Sequence, residues 1–149
     1  MKLLAIIVSI VIFTSCKSDD NRIAVSITNF ELGECFSVTS LKGSEIIITN
    51  QDDYKEFEES IRRHFNPQCD NVNLPTIDFK ISFFIGKYTE TKGCEANYVR
   101  EVFYDNTTDS YDYNITVSPS GNCDILISSF NCAIVTKLSE SASVNFVVK

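Results

Sequence analysis

The sequence predicts a disulfide-containing α+β domain. An antiparallel β-sheet of about six to eight strands is expected to pack with a single α-helix over about residues 51–65. Three observations carry this. Residues 22–30 alternate apolar and polar, the period of a half-buried strand, and further strand-like segments recur from residue 77 onward. One segment shifts to helical spacing, with Tyr54, Phe57, Ile61 and Phe65 falling on one face. Cys35, Cys69, Cys94, Cys123 and Cys132 follow a short apolar start of the kind expected to lead a chain out of the cytoplasm, into compartments where disulfides persist.

That start is short and ordered. Met1-Lys2 is a basic opening, and residues 3–13 are an apolar run, shorter than the roughly 20 residues a spanning helix needs. Thr14-Ser15-Cys16 closes it and resembles the lipobox of bacterial lipoproteins, with Phe13 where that family usually has Leu. The resemblance implies that residues 1–15 are a signal peptide and that Cys16 is lipidated. Several acyl chains on Cys16 would anchor the protein firmly, since one chain binds only marginally. Residues 16–22 read as the lipidated cysteine and a flexible tether, and residues 23–149 as one domain. Lys17-Ser18-Asp19-Asp20-Asn21 looks like the export signal of surface lipoproteins in Bacteroidetes. The expected address is the bacterial outer membrane, with the surface and the periplasmic side both open.

Within the domain, Ile23, Val25 and Ile27 alternate with Ala24, Ser26 and Thr28, so residues 22–30 read as one strand. Short strands are expected at residues 35–38 and 45–49. The helix has a cap at Thr49 or Asn50 and acids Asp52 and Asp53 in its first turn. Arg62, Arg63 and His64 stand in its last, an order that suits the helix dipole, and Pro67 ends it. Residues 77–85 form a strong strand, and the polar stretch 86–93, with Gly86 and Gly93, reads as a loop. Residues 98–104 and 111–118 flank the polar segment 105–110 as a hairpin, and residues 119–122 make a turn. Three further strands follow at 124–130, 133–138 and 144–148.

The hairpin bears on the cysteines. If 105–110 closes it, Cys94 lies opposite position 121, and a small shift or bulge brings Cys94 to Cys123. A second bond has no such warrant, and Cys69–Cys132 is a guess. No cysteine pair has the spacing of a structural zinc site and the chain holds one histidine, so no metal or other cofactor is expected. The net charge of −7 argues against nucleic acid, which needs clustered Lys and Arg.

One longer pattern runs through Leu74-Pro75-Thr76-Ile77-Asp78-Phe79, Phe84-Ile85-Gly86-Lys87 and Thr91-Lys92-Gly93-Cys94-Glu95. It resembles the C-terminal domain of PrcB-type protease-complex lipoproteins and related Bacteroidetes lipoproteins, over about residues 45–148. The family pattern often has an aromatic where Cys94 stands. The resemblance implies an accessory or stabilising role beside a partner protein, and it carries no catalytic residues.

The remaining candidates are weighed against plainer roles. His64 sits at a helix end beside two arginines, and Asp52, Asp53, Glu56, Glu58 and Glu59 fit a solvated helix face better than a hydrolytic pair or a calcium site. Tyr88, Glu90 and Lys92 in the 86–93 segment, with Tyr98 and Tyr111 on the hairpin, form the candidate partner-contact surface, because Tyr offers an apolar ring and a polar tip. The expectation is a non-enzymatic, membrane-anchored lipoprotein that binds or stabilises a partner protein of a surface or protease complex. The alternatives are a solitary surface receptor for glycan or another small ligand and, less favoured, a small hydrolase.

Overall fold

A computed structural model describes residues 21–32, 36–65 and 74–149. The expected signal peptide, Cys16, Cys35 and Cys69 lie outside these residues. In chain order the elements are β1 (Arg22–Val25), β2 (Ile27–Phe30), a 3₁₀ turn (Val38–Leu41), β3 (Glu45–Ile48), α1 (Gln51–Arg62), β4 (Ser82–Lys92), β5 (Glu95–Asp105), β6 (Ser110–Ser120), β7 (Leu126–Thr136) and β8 (Ser143–Val148).

The strands form two sheets of four, not one. The first has the order β1-β5-β6-β8 and the second β2-β7-β4-β3. All pairings are antiparallel except β6 with β8, which is parallel. The single strand expected at residues 22–30 divides at Ser26. β1 joins β5 in the first sheet and β2 joins β7 in the second. Val25 and Ile27, on either side of the break, both pack against the same apolar cluster.

That cluster fills the space between the sheets with Phe83, Ile85, Val102, Tyr111, Tyr113, Ile115, Ala133 and Val135. A second cluster lies on the other face of the second sheet, where Ile48, Phe84, Tyr88, Phe130 and Cys132 meet Tyr54, Phe57 and Ile61 of α1. The second sheet is thus buried on both faces, and its central strand β4 reads Phe83-Phe84-Ile85 without a polar gap. Each fully buried side chain of this size stabilises by about 2–3 kcal/mol.

The helix forms where expected and stops sooner. The Asn50 side-chain oxygen accepts from the Asp53 amide at 2.9 Å, and the helix ends at Arg62. Phe65 leaves it to bridge with Phe36. Of the described residues of the strand expected at 35–38, Phe36 alone makes a bridge, and at Val38 the chain enters the 3₁₀ turn.

The hairpin keeps the expected register, with Tyr98 opposite Val117 and Tyr104 opposite Tyr111. Cys94 and Cys123 are disulfide-bonded, their Cα atoms 4.8 Å apart. Gly121 beside them has φ +77°, and a Cβ there would run into the Cys94 sulfur. Cys132 is a buried free thiol, so the guessed Cys69–Cys132 bond is not made. Its inward position on a central strand among aromatic rings leaves it a core side chain.

Two loops of the sequence reading are strand. Residues 86–92 continue β4, and Gly86 is there because the Phe130 ring covers its Cα on the helix face. The strands expected at 124–130 and 133–138 are one strand, β7, running through Asn131-Cys132.

Candidate functional site

The site arises from a mismatch of strand lengths. β5 and β7 are 11 residues each, whereas β1 and β2 are 4 each. β1 covers β5 only at residues 102–105, and β2 covers β7 only at residues 132–135. Among the described residues no strand pairs with the same edges at 95–101 or at 126–131. Because β1 and β2 follow one another across Ser26, both sheets lose their edge strand at the same corner.

Between the two bare edges lies a groove of about 370 Å³. β5 lines it with Ala96, Tyr98 and Arg100, and β7 with residues 127–130. Glu31, Leu32 and Val38 contribute from the chain that leaves β2. On β7 the Thr136 amide donates to the Ser26 carbonyl at 3.3 Å, on the β2 side. Alternation along the strand then directs the backbone groups of Ser128 and Phe130 to that side, where β2 no longer reaches.

Arg100 is the central side chain. It shares its strand face with Tyr98 and Val102, so it points between the sheets, and its side chain is only 8% exposed. Its Nε donates to Asn131 Oδ1 at 2.9 Å. Asn131 is fully buried, and its Nδ2 donates to Thr89 Oγ1, also at 2.9 Å. Thr89 in turn donates to the Ser129 carbonyl at 3.4 Å. The outer end of the guanidinium faces the groove, where Glu31 approaches Nη2 at 3.6 Å with 79% of its own side chain exposed. The guanidinium carbon also lies 6.0 Å from the Tyr98 ring centre.

Burying a charge costs free energy unless its donors are met. Here one donor is fixed by a three-residue chain of polar groups, while the outer edge has, among the described residues, a loose, solvent-exposed partner in Glu31. Such a guanidinium is oriented to take a carboxylate in two-point contact. The hydroxyls of Tyr98 and Tyr113 are buried with no hydrogen-bond partner among the described residues. Burial raises the Tyr113 hydroxyl pKa, which the nearby Arg100 charge partly opposes. Burial likewise pushes the Cys132 thiol well above its ordinary value, which leaves it un-ionised and unsuited to act as a nucleophile.

The expected contact surface is divided. Tyr88 and Tyr111 are 6% and 1% exposed and belong to the two apolar clusters, which corrects their reading as contact residues. Both rings point inward because strand alternation places them on covered faces. The Tyr88 hydroxyl donates to Glu90 at 2.5 Å, and Glu90 pairs with Lys42 at 3.0 Å. Those two contacts, the tyrosine first, hold the Glu90 carboxyl below its ordinary value. Lys92 pairs with Asp124 at 2.7 Å on the open surface. Tyr98 alone of the five lines the groove. His64 Nδ1 lies 2.9 Å from the Ser60 carbonyl at the exposed helix end.

Arg100, Asn131 and Glu31 escaped the sequence reading. One signal could have found Arg100: it is a cation at an inward position of an otherwise apolar-alternating strand. Compared with protein-family models, with curated proteins and with solved structures, the chain has no significant match.

Proposed function

We propose that the chain is a non-enzymatic lipoprotein, anchored through Cys16 to the bacterial outer membrane, that binds or stabilises a partner protein there. The observation that supports this best is the open corner of the two sheets. Bare strand edges invite pairing with another chain, and folded proteins usually blunt or cover them. Here two edges with no strand partner among the described residues flank a groove with a buried, oriented cation, and added strands are a recurrent mode of protein recognition. The first strand begins at Arg22, a few residues after the proposed anchor and opposite Asp105, at the end of β5 away from the groove, which would leave the groove open to a membrane-bound partner. The motif resemblance of residues 45–148 to protease-complex accessory lipoproteins would imply the same role.

The test is a mild-detergent affinity isolation of the full-length protein from its own membranes, with mass spectrometry of what accompanies it. The expected outcome is one stoichiometric partner, released together with the lipidated protein. Recovery of the lipidated protein alone, at a yield that would have revealed a partner, would overturn the proposal in favour of a solitary ligand receptor.

A further inference from the structure

We propose that the groove takes an extended segment of the partner protein, paired by its backbone to the bare edge of β7, with one Asp or Glu side chain of that segment seated on Arg100. The inference rests on the partner-binding reading above and adds to it a place and a chemistry.

Three features fix the occupant. The first is length. Residues 126–131 have no strand partner among the described residues on the β2 side, an edge of ordinary strand length, about 20 Å at the usual rise. Ser128 and Phe130 turn their amides and carbonyls to that side, the Phe130 carbonyl with a weak contact from Cys132 Sγ at 3.7 Å, so an incoming strand finds a ladder already in extended geometry. The second is charge. Arg100 is the cation in the groove lining, and its inner donor is held by Asn131. Glu31 is a weak incumbent, long at 3.6 Å and largely in water. A carboxylate arriving through the groove would approach the same outer nitrogens with better geometry and less solvent. The third is pattern. Side chains of an added strand alternate between the two faces. Those facing the first sheet meet Arg100 at one level and Tyr98, Ala96 and Ile127 around it. The segment therefore carries an acid at one position and aliphatic or aromatic residues two positions away on the same face.

The probe is a random dodecapeptide library displayed on phage and panned against the intact lipidated protein in detergent micelles. Enriched peptides are expected to share one Asp or Glu with apolar residues at a spacing of two. The best peptide is then synthesised in three forms: with its acid as Glu, with that Glu as Gln, and N-methylated at alternate amides. The Gln form should bind about tenfold more weakly, and N-methylation on the edge-facing amides should abolish binding. Glu31→Gln should tighten the Glu peptide about two- to fivefold and leave the Gln peptide unchanged, because it removes a competitor. A merely structural Glu31 would give no gain. Arg100→Gln should erase the difference between the two peptides. If that variant does not fold, the Glu31→Gln and N-methyl results decide alone.

Equal binding of the Glu and Gln peptides, undiminished binding of the N-methyl peptide, or a library without acid enrichment would overturn the inference. If these fail while the membrane isolation yields a stoichiometric partner, partner binding stands and the groove is the wrong place. If both fail, the functional reading falls with it.

Discussion

β5 and β7 each run through two unlike halves of the molecule. Where β1 and β2 cover their edges, the inward side chains are Val102, Ala133 and Val135, the last two fully buried in an apolar cluster. A few residues along the same strands, where no strand among the described residues covers the edges, the inward side chains include the polar Arg100, Asn131 and Ser129 beside Tyr98 and Ile127. The covered half is sealed by apolar burial, and its backbone groups are paired on both sides. The bare half has a polar chain in place of packed methyl groups and keeps half its edge unpaired. Its stability must come from elsewhere. The disulfide Cys94–Cys123 lies at that end, where β5 begins and the chain passes from β6 toward β7. The neighbouring Lys92–Asp124 pair is too exposed to contribute much. What the contrast teaches is that the fold holds its open corner covalently and its closed corner by the hydrophobic effect.

Breaking the closed half should have the largest effect. Ile85 is fully buried between the sheets, opposite Ala133 on β7 and Ile47 on β3. Ile85→Ala should lower the free energy of unfolding by about 4 kcal/mol, the transfer loss plus a cavity. Urea titration would show it as a lower midpoint at unchanged slope. A loss under about 1 kcal/mol would mean that the two sheets are not packed as tightly as the cluster implies.

The covalent half comes next. Replacing Cys94 and Cys123 together by Ala should cost about 3.6 kcal/mol in the loop-entropy model, for a sequence separation of 29 residues. The loss should be uneven, with amide exchange rising more in residues 95–100 and 116–120 than around Val102 and Tyr113. Exchange that rises uniformly would show that the two halves unfold as one unit and that the contrast is structural only.

Legibility in the sequence follows the same division. The hairpin register could be read because the polar segment 105–110 is bounded by alternating strands, and that register brought Cys94 to Cys123. The helix could be read because Tyr54, Phe57 and Ile61 repeat on one face and Asn50 caps it. The partition into two sheets could not. Ser26 sits in an unbroken alternation, and nothing in residues 22–30 says that the second half pairs with a different strand. Gly86 and the polar residues after it imitate a loop, since the need for glycine comes from a ring of Phe130 that is distant in sequence. Asn131-Cys132 imitates a break for a similar reason, because Asn131 is kept inward by Arg100 and Thr89. The groove depends on which strand ends go unpaired, a property of topology that no local pattern carries. Only Arg100, a cation on an inward face, was there to be noticed.

The smallest predicted effect locates the border between the halves. Tyr111 and Tyr113 are both buried on β6 and project to the same side. The Tyr111 hydroxyl accepts from the Leu138 amide at 2.6 Å, whereas the Tyr113 hydroxyl has no partner among the described residues. Tyr111→Phe should therefore cost about 1 kcal/mol, since it strands a donor. Tyr113→Phe should be neutral or stabilise by up to about 1 kcal/mol, because it removes a hydroxyl whose desolvation is not repaid. Paired thermal or urea unfolding of the two variants would read the difference in sign. If Tyr113→Phe instead destabilises as much as Tyr111→Phe, its hydroxyl has a partner, and water entering beside Arg100 is the one the groove can supply. The polar half would then extend one ladder pair further into the sandwich than the apolar cluster suggests, and the cavity open to an incoming strand would be correspondingly deeper.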